Sequence, residues 1–159
     1  MDAREYLQSY PVLKMEVQNN EDRILSAFNN TQMPAPQSSD YIQKGPVGRG
    51  IQESATIRYI ELKDRLQPQI DAGKEKLHCI EDIVNCIDDG LEREVLRLRY
   101  IDGAAWKPVP WKDVAIKLFG DDDERHMKAV QRLHKKALIS FDASRVRCGV
   151  AVEIRKGIW

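Results

Sequence analysis

The sequence predicts an all-α protein with two parts, an N-terminal long helical hairpin (a coiled-coil-like arm) and a C-terminal three-helix domain. Three observations predict this fold class. Apolar residues recur at spacings of three and four over two long N-terminal stretches, which is helical periodicity. A segment rich in Pro and Gly separates these stretches. Three shorter amphipathic stretches follow residue 90, and the last of them is basic.

The first predicted helix covers residues 2–30. Its apolar stripe consists of Tyr6, Tyr10, Leu13, Val17, Ile24 and Phe28. Asn20 falls on this stripe, where a polar residue either sets the register of a helix pair or lies at a weak edge. Pro11 is expected to break off or kink the first turns. Residues 31–50 are rich in Pro, Gly, Ser and Gln and have no apolar period, which predicts a flexible linker.

The second predicted helix covers residues 51–89, and Pro68 is expected to kink or interrupt it. Its apolar stripe consists of Tyr59, Leu62, Leu66, Ile70, Gly73, Leu77, Ile80, Val84 and Ile87. Each stripe needs a partner to cover it. The two helices of residues 1–90 are therefore expected to pair as an antiparallel hairpin or between chains, and the sequence leaves both arrangements open.

The apolar spacing within residues 91–141 predicts three short helices. The first of them covers residues 91–101. Its inward positions are Leu91, Val95 and Leu98, and its outward positions are Arg93, Arg97 and Arg99. The turn Asp102-Gly103 and a loop over residues 104–110 follow. The second helix begins at Trp111, and its apolar stripe is Trp111, Val114, Ala115, Leu118 and Phe119. Gly120 is typical of a left-handed helix cap.

The third helix of this domain covers residues 125–141 and carries basic charge. Aspartates at 121–123 offer N-cap oxygens before it. Its buried side is predicted to consist of Val130, Leu133, Ala137, Leu138 and Phe141, and its outer face of Arg125, Lys128, Gln131, Arg132, Lys135 and Lys136. A short helix, a turn and a basic amphipathic helix are typical of a helix-turn-helix.

The tail, residues 142–159, changes period. Apolar residues alternate with other residues at Val146, Cys148, Val150, Val152 and Ile154. Alternation predicts a short C-terminal β-strand, which would need a partner within the chain or from another copy. A disordered tail is the alternative.

Charge is segregated although the formal net charge is zero. Residues 1–90 hold 10 Lys or Arg and 15 Asp or Glu, whereas residues 125–147 hold seven Lys or Arg and one Asp. The neutral balance therefore does not exclude nucleic acid as a partner. The three cysteines form no CxxC pair, and the chain contains no signal peptide and no apolar run of membrane-spanning length. We therefore expect a cytoplasmic protein with no membrane partner.

Catalytic and metal-binding patterns are not found in the sequence. Cys79 and Cys86 lie seven residues apart without a second ligand pair, so they are expected to be buried structural residues rather than zinc ligands. His126 and His134 are expected to meet phosphate, water or a carboxylate. No phosphate loop, dinucleotide-binding glycine pattern or nucleophile elbow occurs. We therefore expect no enzyme activity, no cofactor and no metal.

The basic helix indicates binding to double-stranded DNA, because the major groove admits one helix and presents a distinct pattern of hydrogen-bonding groups for each base pair. The candidate DNA-binding residues are Arg125, His126, Lys128, Gln131, Arg132, Lys135 and Lys136. Those in the first half of the helix suit base contacts, and Lys135 and Lys136 suit phosphates. The simpler alternative is a solvated outer face.

Residues 91–141 resemble region four of bacterial primary-type sigma factors, which recognises a promoter element. The resemblance rests on LEREVLRLRYIDG, WKDVAIKLFG and AVQRLHKKALISF. It implies that Lys128 and Arg132 occupy base-contacting positions and that Gln131 contacts backbone or base. The chain departs from the sigma pattern in two places: residues 104–110 lengthen the first loop, and residues 121–124 lengthen the turn.

The layout of the whole chain resembles small phage and prophage regulators of the ArpU/RinA type. This rests on the AREYL start, a helical hairpin with a Gly- and Pro-rich loop, and the run Arg132 to His134. The resemblance implies a phage-encoded activator of late packaging and lysis genes that works in the bacterial host cell, with RNA polymerase as a candidate partner. A second copy of the chain, bound through the helical arm or the C-terminal strand, is another candidate partner. Two rival functions stay open: a polymerase- or sigma-binding protein that does not contact DNA, and a small-terminase-like packaging protein.

Overall fold

The structure, a computed structural model, describes residues 2–32 and 47–155, and the side chains of residues 2–32 and 53–147. Five α-helices run through these ranges: α1 (Ala3–Gln32), α2 (Val47–Asn85), α3 (Gly90–Leu96), α4 (Trp111–Phe119) and α5 (Glu124–Arg155). A π-helical turn, Arg97–Ile101, extends α3. The described residues contain no strand, which confirms the predicted all-α fold class. Most of the predicted linker, residues 33–46, lies outside the described residues.

The expected C-terminal β-strand is wrong for residues 142–155, because α5 continues through them as helix. The buried face of α5 continues from Phe141 to Ser144, one helical turn on. Ser144 and Arg147 then donate hydrogen bonds to the carbonyl oxygen of Cys86, near the end of α2. Extending an existing helix fixes one residue for each hydrogen bond gained, whereas a lone strand has no ladder to join. Residues 156–159 of the predicted tail lie outside the described residues.

Pro11 lies inside α1 and Pro68 lies inside α2, so neither proline ends its helix. Asp89 caps the start of α3, and its carboxylate accepts the backbone N–H groups of Leu91 and Glu92 at 2.8 and 3.2 Å. This cap satisfies two of the four N–H groups that a helix start leaves without partners.

The described residues fall into two compact units. The first unit is Met1–Met15 with Glu75–Trp159, and the second unit is Glu16–Lys74. The sequence-based division falls instead at residue 90. The difference arises because the start of α1 and the end of α2 share a hydrophobic core with the C-terminal helices. This first core consists of Ala3, Leu7, Tyr10, Ile80, Ile83, Val84, Ile87, Leu96, Tyr100, Ile101, Ala137 and Phe141.

Polar contacts border this first core. The Tyr10 hydroxyl donates to the carboxylate of Glu81, and burial raises the pKa of Tyr10 above its ordinary value, with a further contribution from Glu81. The Lys14 ammonium donates to the carbonyl oxygen of Ile101 at 3.0 Å. These bonds join the beginning of the chain to residues more than seventy positions later.

A second core in the first unit joins α3, α4 and α5. It consists of Val95, Leu98, Val114, Ala115 and Val130. Partly buried Trp111, Leu118, Met127 and Leu133 pack against it. The predicted inward positions of α3, α4 and α5 are therefore confirmed for most residues, but Leu91 of α3 and Phe119 of α4 are exposed instead of buried.

The second unit is formed by residues 16–32 of α1 and residues 47–74 of α2. The Phe28 and Tyr59 rings contact each other with centroids 5.5 Å apart. The Lys74 ammonium pairs with the Glu21 carboxylate at 2.5 Å. The later part of α1 thus meets the earlier part of α2, so the two helices run antiparallel within one chain.

Candidate nucleic-acid interface

The turn that leads into the basic helix is set by Gly120. Gly120 has φ +87°, a left-handed conformation that glycine adopts without a Cβ penalty, and its N–H donates to the carbonyl oxygen of Ile116 at 2.8 Å. The predicted glycine cap is therefore confirmed. Residues 121–123 form the turn, and α5 begins at Glu124. The Asp121 carboxylate accepts the N–H of Asp123 at 3.1 Å, which holds the turn closed.

Six of the seven predicted contact residues lie along one exposed side of the first half of α5. They are Arg125, Lys128, Gln131, Arg132, Lys135 and Lys136. Their spacing of three and four residues keeps them in line over three helical turns, a length of about 16 Å at 1.5 Å per residue. The opposite side of the same helix is fully buried at Val130, Ala137 and Phe141. Burial of that side therefore fixes which side faces solvent.

His126 does not belong to this basic face. Its imidazole stacks on the Phe119 ring with centroids 4.9 Å apart and contacts the Asp121 carboxylate through Nδ1. The sequence placed His126 among the DNA-contacting residues, whereas the structure places it against the end of α4 and the turn. A carboxylate was one of its expected partners.

Most cations of the basic face are available to a ligand. Lys128 pairs with Glu124 one turn earlier at 2.6 Å. Arg125, Arg132, Lys135 and Lys136 form no ion pair with any residue that the structure describes. An exposed Lys–Glu pair contributes little free energy, so an anion can displace Glu124 from Lys128 at small cost.

The acidic turn before α5 is partly neutralised by its own neighbours. The Lys112 ammonium pairs with the Asp122 carboxylate at 2.9 Å and lowers the pKa of Asp122. Hydrogen bonds from His126, and then from the Asp123 N–H, lower the pKa of Asp121. Lys112 thus compensates one carboxylate charge close to where a phosphate would approach the helix.

The loop before α4 is held in place by Arg99, which the sequence placed on the outside. The Arg99 guanidinium lies 4.0 Å from the centroid of the Trp111 indole and donates to the carbonyl oxygen of Val109. The Val109 N–H donates back to the carbonyl oxygen of Arg99 at 2.8 Å. This cation–π contact and hydrogen-bond pair fix the loop before α4. Sequence spacing does not reveal such a pairing, because it depends on how the loop folds.

His134 is buried behind the basic face and is 6% exposed. Its Nε2 lies 3.0 Å from the Tyr100 hydroxyl, and its ring meets the Trp111 ring edge-on with centroids 4.9 Å apart. Burial lowers the pKa of His134 to about 4, with smaller contributions from the positive charges of Arg99 and Arg4. His134 is therefore neutral at pH 7 and packs in the core, so the expected contact with phosphate or a carboxylate is wrong.

The described residues give little support for a metal site, a zinc-binding cysteine pair or a membrane-spanning helix. No group of three His, Cys, Asp or Glu side chains there could hold a metal ion. Cys79 and Cys86 are exposed, so their expected burial is wrong, because the inward side of α2 is taken by Ile80, Ile83 and Val84. Within the same residues, every helix is too short or too polar to cross a bilayer.

Comparison of the chain with protein-family models, with curated proteins and with solved structures finds no match.

Proposed function

We propose that the protein is a sequence-specific DNA-binding transcriptional regulator that places the first half of α5 in the major groove. The observation that carries the proposal is the basic face of α5, backed by a core that fixes its orientation. A cationic helix face opposite buried apolar positions is the arrangement that groove-binding helices share.

The dimensions of the basic face support this proposal. Its length of about 16 Å exceeds the major-groove width of about 12 Å, so residues at both ends can meet phosphates while the middle meets base edges. Gln131 and Arg132 occupy the middle. Arg132 can donate two hydrogen bonds to one guanine, and Gln131 can donate one hydrogen bond to an adenine and accept one from it. Arg125 and Lys136 lie at the ends, where phosphate contacts are expected.

The biological setting of the proposal comes from the resemblance in the sequence. We propose that the chain is a phage-encoded activator of late packaging and lysis genes that acts in the host cytoplasm and contacts RNA polymerase. Asp102-Gly103, Val114-Ala115 and Lys136-Ala137-Leu138 carry the sigma-like pattern. Of these, Val114, Ala115 and Ala137 are buried core residues, so their part of the pattern concerns packing rather than contacts with DNA.

The proposal is tested by fluorescence anisotropy with the full chain and labelled duplexes from the DNA that flanks its gene. Random duplex of equal length is the competitor, at two salt concentrations. A preference of about a thousandfold for one fragment that persists in the higher salt is expected of a specific regulator. Weak binding to every duplex that disappears with salt would contradict the proposal, since an electrostatic patch alone behaves that way.

Two substitutions separate base contacts from phosphate contacts. Arg132→Ala is expected to weaken specific binding by roughly 1–3 kcal/mol and to reduce the preference between fragments. Lys135→Ala is expected to weaken all duplexes alike and to lower the salt slope by about one. Lys76→Ala removes an exposed lysine of α2 and serves as the matched control, with no expected effect. An equal loss on all sequences for Arg132→Ala would make Arg132 a phosphate contact.

A second candidate function is an interaction protein that docks on polymerase or a sigma factor without contacting DNA. It is favoured by Ile116 and Phe119, which are 42% and 40% exposed on the outer side of α4. Exposed apolar side chains that form a contiguous patch mark sites of contact with other proteins. A footprint on DNA that is absent with the protein alone, appears when polymerase is present and is lost in Ile116→Ser would favour a co-activator form of this candidate, in which polymerase contacts the DNA.

A further inference from the structure

An apolar groove runs between α1 and α2 in the second unit. It has a volume of about 330 Å³, and its apolar walls are Ile24, Leu25, Phe28, Tyr59 and Ile70. A second groove of about 400 Å³ in the same unit is lined by Asn30, Arg58, Glu61 and Arg65 together with Ala27, Ala55 and Leu62. Three charged side chains thus line the second groove, whereas one, that of Glu21, lines the first.

Few of the side chains that the structure describes in the second unit are buried. Among them, Val17, Leu66 and Ile70 are the buried hydrophobic residues, whereas Leu25 is 58% exposed although it lines the apolar groove. Amphipathic helices are stabilised mainly by burial of their apolar faces, and a four-helix bundle encloses such faces in one shared core. The groove is thus a surface that a further pair of helices would complete.

We propose that two copies of the chain pack these grooves against each other, forming a two-fold symmetric four-helix bundle from their second units. This inference goes beyond the proposed function and does not depend on DNA binding. A two-fold interface must be self-complementary, so that each copy both offers a cavity and fills one. The groove satisfies this requirement, because Leu25 projects at its edge and would enter the groove of the other copy.

Charge argues for a second copy rather than a strongly charged partner. Residues 16–74 contain seven Lys or Arg and eight Asp or Glu, so each copy has a net charge of −1 there and two copies repel only weakly. A nucleic acid or a highly acidic protein would find no complementary field there. Within the groove wall, Glu21 is already paired with Lys74. The partner that fits the groove is therefore an apolar helical surface, which a second copy supplies.

The surface of the helix pair that carries the groove is of the order of size that a dimer interface needs. Residues 16–32 of α1 form about 25 Å of helix, and two adjacent helices are about 20 Å wide. The side of the two helices that carries the groove therefore has a flat projected area of about 500 Å². Its accessible area is larger because side chains make the surface uneven. An ordinary dimer buries about 800 Å² of accessible surface on each partner.

The test is the mass of the full chain in solution, measured by sedimentation equilibrium from about 1 to 100 µM, a range that covers weak specific dimers. A monomer–dimer equilibrium is expected. Leu25→Glu places a charge in the groove of both copies and is expected to raise the dimer Kd by at least about a hundredfold. Ile57→Glu is the matched control, since Ile57 is 56% exposed but lies outside the groove lining. It is expected to leave the Kd unchanged.

Three results would overturn the proposal: a monomer at every concentration, an assembly larger than a dimer, or a dimer that Leu25→Glu does not weaken more than Ile57→Glu. Far-ultraviolet circular dichroism shows whether the variants keep their helix content. If Leu25→Glu unfolds, a photo-crosslinking amino acid at position 25 decides the question. An adduct of two chains joined within residues 59–70 supports the proposal, and the absence of that adduct refutes it.

Discussion

Replacing His134 with glutamine should remove a large part of the acid sensitivity of the fold. Burial, together with the charges of Arg99 and Arg4, lowers the pKa of His134 from 6.5 to about 4. Between these values the unfolded chain binds a proton that the folded chain excludes. The free energy of unfolding therefore rises with pH through this window and falls as the pH is lowered.

The magnitude follows from the two pKa values. Each tenfold change in proton affinity is worth about 1.4 kcal/mol, so the difference between 6.5 and about 4 amounts to about 3 kcal/mol. Most of this, about 2.5 kcal/mol, is lost between pH 7.5 and pH 4.5. His134→Gln keeps a group that can hydrogen-bond to the Tyr100 hydroxyl but does not titrate. Its stability should therefore decline by about 2.5 kcal/mol less over the same interval.

The assay is urea unfolding followed by circular dichroism at several pH values between 7.5 and 4.5, with the unsubstituted chain and the variant in parallel. His78→Gln is the matched control, because His78 is exposed and pairs with Asp82 at 3.6 Å. The control should follow the unsubstituted chain. Parallel stability curves for the unsubstituted chain and His134→Gln would refute the argument, since they would mean that His134 does not exclude a proton on folding.

Three further substitutions test the packing and the caps, each by the free energy of urea unfolding. Phe141→Ala should cost about 3–5 kcal/mol, because Phe141 is fully buried in the first core and a cavity would remain, whereas exposed Ile139→Ala should cost little. Gly120→Ala should cost about 1 kcal/mol through its positive φ alone, since a Cβ there meets no atom within 4 Å. Asp89→Ala should cost about 1 kcal/mol by removing the cap of α3, and Asp89→Asn should restore most of it.

Helical periodicity predicted the helices and much of the site. The apolar positions Val130, Ala137 and Phe141 recur at three-to-four spacing, and burial of these positions is what orients the basic face. Gly120 was predictable because its position between two amphipathic stretches demanded a left-handed residue. These features are local, so a sequence window of one helix contains them.

The features that the sequence did not predict depend on contacts between distant residues. Alternation from Val146 onward resembles a strand, but the long-range bonds of Ser144 and Arg147 to Cys86 favour helix. Arg99 and His134 were predicted as polar surface residues. Their inward placement depends on Trp111 and Tyr100, which the loop and the π-helical turn bring beside them. Contacts between residues so far apart in the sequence leave no mark on the spacing of apolar residues along one helix.

The first core has a consequence for the order in which the chain acquires its structure. Ala3, Leu7 and Tyr10 are synthesised well before their core partners Ala137 and Phe141, which lie more than 120 positions later in the chain. Contacts that span more than 120 residues form late and slowly, since a long loop must close first. The core around the start of α1 is therefore complete only after α5 has been synthesised. A chain cut short before Phe141 would lack the orienting core of the basic face and would be a target for chaperones and proteases.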